Sequence, residues 1–464
     1  MKDLSQSEDI KSSQILIVII VSGLLFSYLL VDLPLYALLI PTLLISFIAI
    51  NSKPITVFLI AFPMLHIFYR DTFLPRTQLH YSIFELFLFL CAIFLIFQII
   101  ARRRIEEYRI YIPIFICGIV LLLYVLIGHG EKPANHLVLF LEGFWPLLLV
   151  TQFLMNTKQL KAIVVVWLLT FVAVSLFWLP ALLTSTGRDW FLMHGAQKYY
   201  ETFQYEGAFS YLVKYTIISS ASLTAMAVSI PAFLGIALTK SKIRYLAFIA
   251  IPLIATTIAL STFLAPFIVL LTGTTLFFCI YFWKRRELKR GIVIVLTLVL
   301  LLLFLPLLGS PILSKTVART QNFQEDASIA VRIEMMGLEL KGLVVGTNPI
   351  IGYGSYEGFA KIEGMNPIMR HTSFPSLAFE NGLLFFIPFI CIIAAVLKRI
   401  KENLSRETTA SADPFVIGLT SAFLIAIFAA FLNPIFLIPL TDSVVWLVAG
   451  IILVTNRKRE LTFS

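Results

Sequence analysis

Residues 371–397, HTSFPSLAFENGLLFFIPFICIIAAVL, join a polar stretch to an apolar run of membrane-spanning length. The apolar run is long enough to cross a hydrocarbon core about 30 Å thick as a helix. Pro375 suits the first turn of such a helix, where a backbone N–H has no intrahelical partner. The sequence therefore predicts that a transmembrane helix begins directly after His371.

Similar apolar runs recur along almost the whole chain of 464 residues, of which 59% are hydrophobic and 13% charged. In soluble domains roughly a quarter of the residues are charged. A helix satisfies its own backbone polar groups in lipid, whereas the strands of a membrane β-barrel are shorter and alternate in polarity. The composition predicts an all-α, polytopic membrane protein, with a single transmembrane domain over residues 1–464.

We predict about 14 transmembrane helices, each bounded by a loop, a proline or a glycine. The runs around Asp32, Ser261 and Asn433 are joined so tightly that one helix of each pair could be re-entrant or tilted, so totals of 12 or 13 remain open. The predicted spans are 14–31, 34–50, 54–69, 81–100, 110–128, 136–154, 161–184, 215–239, 243–260, 263–283, 290–309, 374–397, 414–431 and 435–455. The charged segment 399–413 is predicted to be a solvated loop.

The net charge of +10 is divided unevenly between the two sets of loops. With 14 spans, most of the 36 Lys and Arg residues fall in the loops of one side, as the positive-inside rule describes for the cytoplasmic side. This asymmetry predicts a bacterial cytoplasmic membrane protein with both termini in the cytoplasm, and it argues against a nucleic-acid partner. The long loops 185–214 and 310–373 then face outward.

The cysteines do not indicate a metal site or a disulfide. Cys91, Cys117, Cys279 and Cys391 all fall within apolar runs and lack the spacing of metal ligands. We interpret them as small buried hydrophobic side chains.

The outer loop 185–214 contains eight aromatic residues and Arg188. Aromatic rings stack on the apolar faces of sugars, which favours a carbohydrate ligand. The alternative is an interfacial belt of aromatic residues, which is common in membrane proteins. Arg188 is a candidate anion contact in either case.

The outer loop 310–373 contains a predicted amphipathic helix followed by a glycine-rich turn. Ile329, Ile333, Met336 and Leu340 recur at helical spacing, so we expect a helix lying along the outer membrane surface. Arg332, in its first turn, carries a fixed guanidinium suited to phosphate oxygens. Glycines over 346–358, including Gly352 and Gly354, would let the backbone approach a ligand or another helix closely.

His371 and Glu380 flank the start of the span that opened this section. A histidine at the membrane edge is suited to act as a general base near neutral pH, although most loop histidines have no such role. Placing the charged carboxylate of Glu380 at the edge of a span costs free energy. We therefore expect it to face a cavity or to form a structural ion pair. Other ionisable residues near outer edges are candidates to line the same cavity: Arg70, Asp71, Glu85, Glu142 and Asp442.

The pattern over about 55 residues resembles the superfamily of O-antigen ligases and O-antigen polymerases of bacterial envelopes. It consists of Arg332 near the start of a surface helix, a Pro-x-x-Gly-x-Gly turn at 349–354, His371, and Glu-x-Gly at 380–382. The predicted topology, with many spans and a large outer loop late in the chain, is similar as well.

The resemblance implies a metal-independent glycosyltransferase that uses an undecaprenyl-diphosphate-linked glycan and needs no cofactor. Arg332 would stabilise the diphosphate, His371 would deprotonate the acceptor hydroxyl, and Glu380 would orient the histidine or bind sugar. Gly352 and Gly354 would line the substrate site. Implied partners are an acceptor glycan or glycolipid, membrane lipids, and a flippase and chain-length regulator.

The chain departs from the family pattern at two places. His371 is followed by threonine where the family often has asparagine, and 261–263 is Ser-Thr-Phe where it often has Ser-Arg-Gly. The missing arginine removes one expected positive charge, and Arg70, Arg188 and Arg370 are the candidates to replace it.

Four functions are considered from the sequence. A glycan polymerase joins lipid-linked repeat units, and the two sizeable outer loops favour it slightly. A ligase transfers the glycan to lipid A-core or another acceptor. A lipid-linked glycan flippase or other transporter has a similar number of spans, but its binding site would lie near the membrane midplane in related halves, which we do not find. A cell-wall glycan polymerase of the shape–elongation–division type is a further alternative, and its motifs are absent from the sequence.

Overall fold

The computed structural model describes 13 segments of the chain. They are 54–68, 83–101, 108–129, 133–154, 156–184, 220–261, 264–287, 336–344, 348–354, 373–406, 413–432, 435–436 and 439–455. Their regular structure consists of twelve helices and no strand, so the prediction of an all-α fold is confirmed for this part of the chain. The helices are α1 (Pro54–Phe68), α2 (Ile83–Ala101), α3 (Tyr108–Ile127), α4 (Pro133–Phe153), α5 (Thr157–Leu183), α6 (Ser220–Ala237), α7 (Arg244–Leu260), α8 (Leu264–Arg285), α9 (336–344), α10 (Phe374–Arg406), α11 (Pro414–Leu432) and α12 (Pro439–Thr455).

Seven of these helices are long and apolar enough to cross a membrane, namely α3, α4, α5, α6, α8, α10 and α11. Four shorter helices, α1, α2, α7 and α12, are also apolar. The protein is therefore a helical membrane protein by length and composition. The total of about 14 stays a prediction, because the predicted spans 14–31, 34–50 and 290–309 lie outside the described residues.

The centre of the bundle is the pair α4 and α12, which run parallel. A Cβ atom on Gly143 would lie 2.7 Å from Oδ2 of Asp442, and one on Gly450 would lie 3.3 Å from the Cα of Leu147. Small residues thus let the two backbones approach closely, as is common between membrane helices. Fully buried Trp145 on α4 adds packing at the same centre.

A second close contact joins α6 and α11, which run antiparallel. A Cβ on Gly235 would lie 2.4 Å from the carbonyl oxygen of Pro414, and one on Gly418 would lie 2.5 Å from the carbonyl oxygen of Pro231. Outside these central pairs, α3, α7 and α10 carry many exposed large apolar side chains, such as Ile119 at 57% exposure. Exposed apolar faces around a packed interior are expected where the surrounding solvent is lipid.

Helix α10 differs from the predicted span 374–397 in two ways. It continues to Arg406, so the first part of the predicted loop 399–413 is helical. Its charged last turns include an ion pair between Arg399 and Glu402 with an N–O distance of 3.0 Å, which stabilises the extension. The second difference is a break in the helix at Gly382, described below.

Polar side chains gather at one end of the bundle and basic side chains at the other. Lys284, at the end of α8, donates a hydrogen bond to the carbonyl oxygen of Leu404, near the end of α10. The opposite end holds the start of α10, the end of α1 at His66 and the start of α12 at Ser443, whose hydroxyl lies 3.2 Å from Nε2 of His66. Because α8 and α10 run parallel, the segment that joins them begins and finishes at opposite ends of the bundle.

Candidate functional site

The candidate site is built around a break in α10. Gly382 has φ 68° and ψ 176°, which is not helical, and the helix resumes at once after it. Glycine adopts a positive φ without the steric penalty that a Cβ atom would bring. A broken helix in a membrane leaves backbone N–H and C=O groups that need partners from elsewhere in the protein.

Those partners come from residues 348–354, which we call the glycine loop. Four backbone hydrogen bonds join it to α10, with N–O distances of 2.9–3.0 Å. The N–H groups of Leu383 and Leu384 donate to the carbonyl oxygens at 349 and 350 of the loop. In the other direction, the N–H groups of Tyr353 and Gly354 donate to the carbonyl oxygens at 379 and 380 of the helix. The loop thus satisfies both sides of the break.

The contact is close enough to require glycine on both partners. A Cβ on Gly352, where φ is +83°, would lie 2.4 Å from the backbone nitrogen of Gly382. A Cβ on Gly382 would lie 2.2 Å from the carbonyl oxygen of Ile350. The ring of Tyr353 stacks on that of Phe379 with centroids 4.6 Å apart, which adds a side-chain contact to the backbone bonds. The sequence predicted a close backbone approach here, and the described partner of Gly352 is α10; substrate binding by Gly352 and Gly354 stays a prediction.

Helix α9 is held against the same region. The hydroxyl of Tyr353 donates to the carbonyl oxygen of Gly342 at 3.1 Å. On the start of α10, the hydroxyl of Ser376 donates to Oε1 of Glu339 at 2.6 Å, and both side chains are buried. The side of α9 that packs against α10 therefore carries Glu339, whereas Leu340 and Val344 are 48% and 83% exposed. Of the predicted amphipathic helix, the part before Met336, including Arg332, lies outside the described residues.

A buried network connects the break to α3 and α4. Nδ1 of His136, at the start of α4, lies 2.9 Å from Oδ1 of Asn381. Nε2 of the same ring lies 3.8 Å from Oε2 of Glu380. The hydroxyl of Tyr124, near the end of α3, donates to the backbone carbonyl of Asn381 at 2.8 Å. Glu380 is 2% exposed and Asn381 is fully buried. Glu380, His136 and Tyr124, which lie beside the break, can each hold or move a proton.

The start of α10 is fixed by Ser373, the described residue nearest to His371 in the chain. The backbone N–H of Ser373 donates to the carbonyl oxygen of Ala430 at 2.8 Å. Its hydroxyl oxygen accepts the N–H groups of Ile435 and Phe436, at 2.5 and 3.1 Å. The chain is therefore tied to α11 and to the α11–α12 connection at the point where it leads into α10.

A second group of buried ionisable residues lies where α1, α4 and α12 meet. Glu142 and Asp442 are each 1% exposed, and His66 is 4% exposed. Asp442 packs against the backbone of α4 at Gly143. We predicted Glu142 and Asp442 as candidates to line the same cavity as Glu380, and the structure places Asp442 in the α4–α12 contact.

The other predicted site residues fall outside the described part of the chain. These are His371, Arg370, Arg332, Arg188, Arg70 and Asp71, together with the whole aromatic loop 185–214. Glu85 lies on α2. Within the described residues, no group of three His, Cys, Asp or Glu side chains could hold a metal ion.

The sequence analysis missed His136 and Tyr124. Both lie in apolar runs far from the motif region in the chain, and neither belongs to a local pattern. One available signal was that His136 is a titratable residue at the first turn of a predicted span, where such residues usually face a partner. The sequence left open whether Glu380 faces a cavity or forms an ion pair, and the structure places His136 beside it.

Comparison with known proteins adds no relative: the chain matches no protein-family model and no curated protein.

Proposed function

We propose that this protein is a glycan polymerase that joins undecaprenyl-diphosphate-linked repeat units at the outer face of the bacterial cytoplasmic membrane. The observation that carries the proposal is the contact between the glycine loop and the break in α10. The Pro-x-x-Gly-x-Gly turn and the Glu-x-Gly segment are two of the motif elements on which the family resemblance rests. They lie about 30 residues apart in the chain and are joined by four backbone hydrogen bonds.

The location of the buried polar network supports transfer chemistry at one membrane edge. The break lies in the third turn of α10, at the end of the bundle opposite to Lys284 and Arg285. Basic residues mark the cytoplasmic side by the positive-inside rule, so the break belongs to the outer half of the membrane. A lipid-linked donor and the end of an acceptor glycan that extends into the water can both reach that depth.

In the proposed reaction, an acceptor hydroxyl oxygen attacks the anomeric carbon of the lipid-linked glycan. His371 takes the proton of that hydroxyl, and the bond between the anomeric carbon and the diphosphate oxygen breaks with inversion. Undecaprenyl diphosphate leaves with the bonding electron pair, and Arg332 stabilises its developing charge. Glu380 orients the histidine or binds sugar. The diphosphate is already a good leaving group, so the reaction needs no cofactor.

A ligase that transfers the glycan to lipid A-core is the second candidate, because the motif elements are shared by both members of the superfamily. The aromatic outer loop 185–214, together with the large loop 310–373, favours the polymerase, since a polymerase must hold two glycans. A flippase is the candidate from another class of protein, and the feature that supports it is the predicted number of 12–14 spans.

The test is reconstitution of the purified full chain in liposomes with undecaprenyl-diphosphate-linked oligosaccharide. A ladder of longer lipid-linked products is expected, and His371→Ala should abolish it while the protein still inserts. His129→Ala is the control, since His129 lies at the end of the bundle that holds the break in α10, against the ring of Tyr124. Transfer only to added lipid A-core would identify a ligase. Movement of substrate between leaflets at unchanged length would identify a flippase, and a normal ladder from His371→Ala would reject the assigned base.

A further inference from the structure

We infer that the basic end of the bundle binds the phosphate group of an anionic phospholipid where the ends of α8 and α10 meet. The lipid belongs to the membrane leaflet that adjoins this end, opposite to the break in α10. The inference concerns a lipid that stabilises the protein, and it does not depend on the proposed glycan transfer.

The contact between the two helix ends is made by Lys284. Its side chain donates a hydrogen bond to the carbonyl oxygen of Leu404, in the last turn of α10. Its ammonium group also lies 5.4 Å from the ring centroid of Trp283. An ammonium group has three donors, so two of them remain after the bond to Leu404. Lys284 therefore holds a positive charge at the junction of the two helices with two donors available to phosphate oxygens.

The end of α8 carries two more cations, Arg285 and Arg286, and both are exposed. The guanidinium group of Arg285 lies 4.6 Å from the ring centroid of Tyr281, a contact that restricts its orientation. Arg286 has φ 56°, a left-handed conformation that glycine usually occupies at the end of a helix. A residue with a side chain costs free energy there, and strained residues of this kind cluster at ligand sites. Three consecutive cations thus end α8, one of them at a position that favours glycine.

Two lysines of α10 lie near the same junction. Ile387, Ile390 and Leu397 form an exposed apolar stripe on this helix, with exposures of 58%, 37% and 36%. Lys401 follows Leu397 by four residues and so extends the stripe towards the basic end, and Lys398 is exposed beside it. Lysines at the end of a lipid-exposed stripe place their stems along acyl chains and their ammonium groups among the head groups.

The acidic residues near this junction leave most of its positive charge unpaired. Glu402 forms an ion pair with Arg399, whose Nη1 lies 3.0 Å from Oε2 of Glu402. In the described part of the chain, neither lysine of α10 forms an ion pair. Asp413, at the start of α11, accepts the backbone N–H of Phe415. Besides the pair on α10, the described side chains at the two helix ends are five cations and one carboxylate, that of Glu287.

The surroundings of these cations favour a lipid over a soluble anion. Trp283 is 59% exposed and lies one turn after Cys279, which is also exposed. Tryptophan is enriched where membrane helices reach the head groups. Cations beside an exposed indole ring and an apolar stripe match a molecule that has both a phosphate group and acyl chains, and anionic lipids are attracted to basic groups at the membrane surface.

Binding is measured on the purified full chain in detergent by native mass spectrometry. The probes are phosphatidylglycerol and phosphatidylcholine with the same acyl chains. We expect phosphatidylglycerol to bind more tightly, and Lys398→Gln combined with Lys401→Gln to weaken its binding about 25-fold, at about fivefold for each cation removed.

The control combines Lys240→Gln with Lys242→Gln, two exposed lysines on the separate connection between α6 and α7. It removes the same charge from the basic end and should leave the affinity nearly unchanged, because salt screens charges that do not contact the phosphate group. Equal affinity for the two lipids, or equal losses in the two double variants, would overturn the inference.

Fluorescence tests the location of the lipid. Phosphatidylglycerol with bromine near its head group should quench part of the tryptophan emission, and Trp283→Phe should remove that part. The temperature of thermal unfolding should rise with phosphatidylglycerol, less so in the double variant of α10, and should not rise with inorganic phosphate. Equal quenching in wild type and Trp283→Phe, or a rise with phosphate as large as that with the lipid, would reject a phospholipid at this junction.

Discussion

Replacing Gly382 by alanine should displace residues 349 and 350 of the glycine loop from α10. The added Cβ would lie 2.2 Å from the carbonyl oxygen of Ile350, so the loop must move away. The backbone at Gly382 has φ 68° and ψ 176°, a region open almost only to glycine, which costs a residue with a side chain about 1–3 kcal/mol. Losing the hydrogen bonds donated by Leu383 and Leu384 adds about 1 kcal/mol each. The free energy of unfolding should therefore fall by about 3–5 kcal/mol.

Gly128 offers a control for a positive φ without a close contact. Its φ is +66°, almost the same as that of Gly382, but nothing lies within 4 Å of a Cβ placed there. Gly128→Ala should therefore lose only about 1–2 kcal/mol. Equilibrium unfolding in detergent micelles gives both free energies, and hydrogen exchange reports the amides of residues 383 and 384. Equal losses in the two variants, with those amides still protected in Gly382→Ala, would refute the role assigned to the loop.

Three further substitutions test other contacts. Gly418→Ala should destabilise the α6–α11 pair by about 1–3 kcal/mol, because its Cβ would lie 2.5 Å from the carbonyl oxygen of Pro231; unchanged thermal stability would contradict this packing. Tyr124→Phe removes the donor to the carbonyl of Asn381 and should cost about 1–3 kcal/mol, measured by thermal unfolding against wild type. Ser376→Ala leaves the buried carboxylate of α9 without that donor, so proteolysis within 336–344 should become faster, and an unchanged rate would place α9 independently of this bond.

The sequence predicted those parts of the structure that are encoded locally. The apolar run after His371 predicts α10, and Pro375 predicts where it begins. The glycines at 352 and 354 predicted a close backbone approach, which the structure shows to be with α10. These predictions work because helix length, proline and glycine act through nearby backbone geometry.

The partner of Glu380 could not be predicted in the same way. His136 lies 245 residues before Asn381, and the contact exists only because α4 packs beside α10. Nothing in the local sequence around either residue encodes that packing. The break at Gly382 was missed for a related reason: its N–H and C=O groups are satisfied by a separate segment, so the apolar pattern continues unchanged across it.

The hydrogen bonds between the glycine loop and the broken helix also bear on the biogenesis of the protein. The loop precedes the break in the chain, so the ribosome releases Pro349–Gly354 before Glu380–Gly382. When the broken helix enters the membrane, the segment that completes its backbone bonding has already been made. A chain order with the loop after the helix would leave open backbone groups in lipid for the time needed to synthesise it. The order of these two segments therefore makes the partners of the broken helix available when that helix is synthesised.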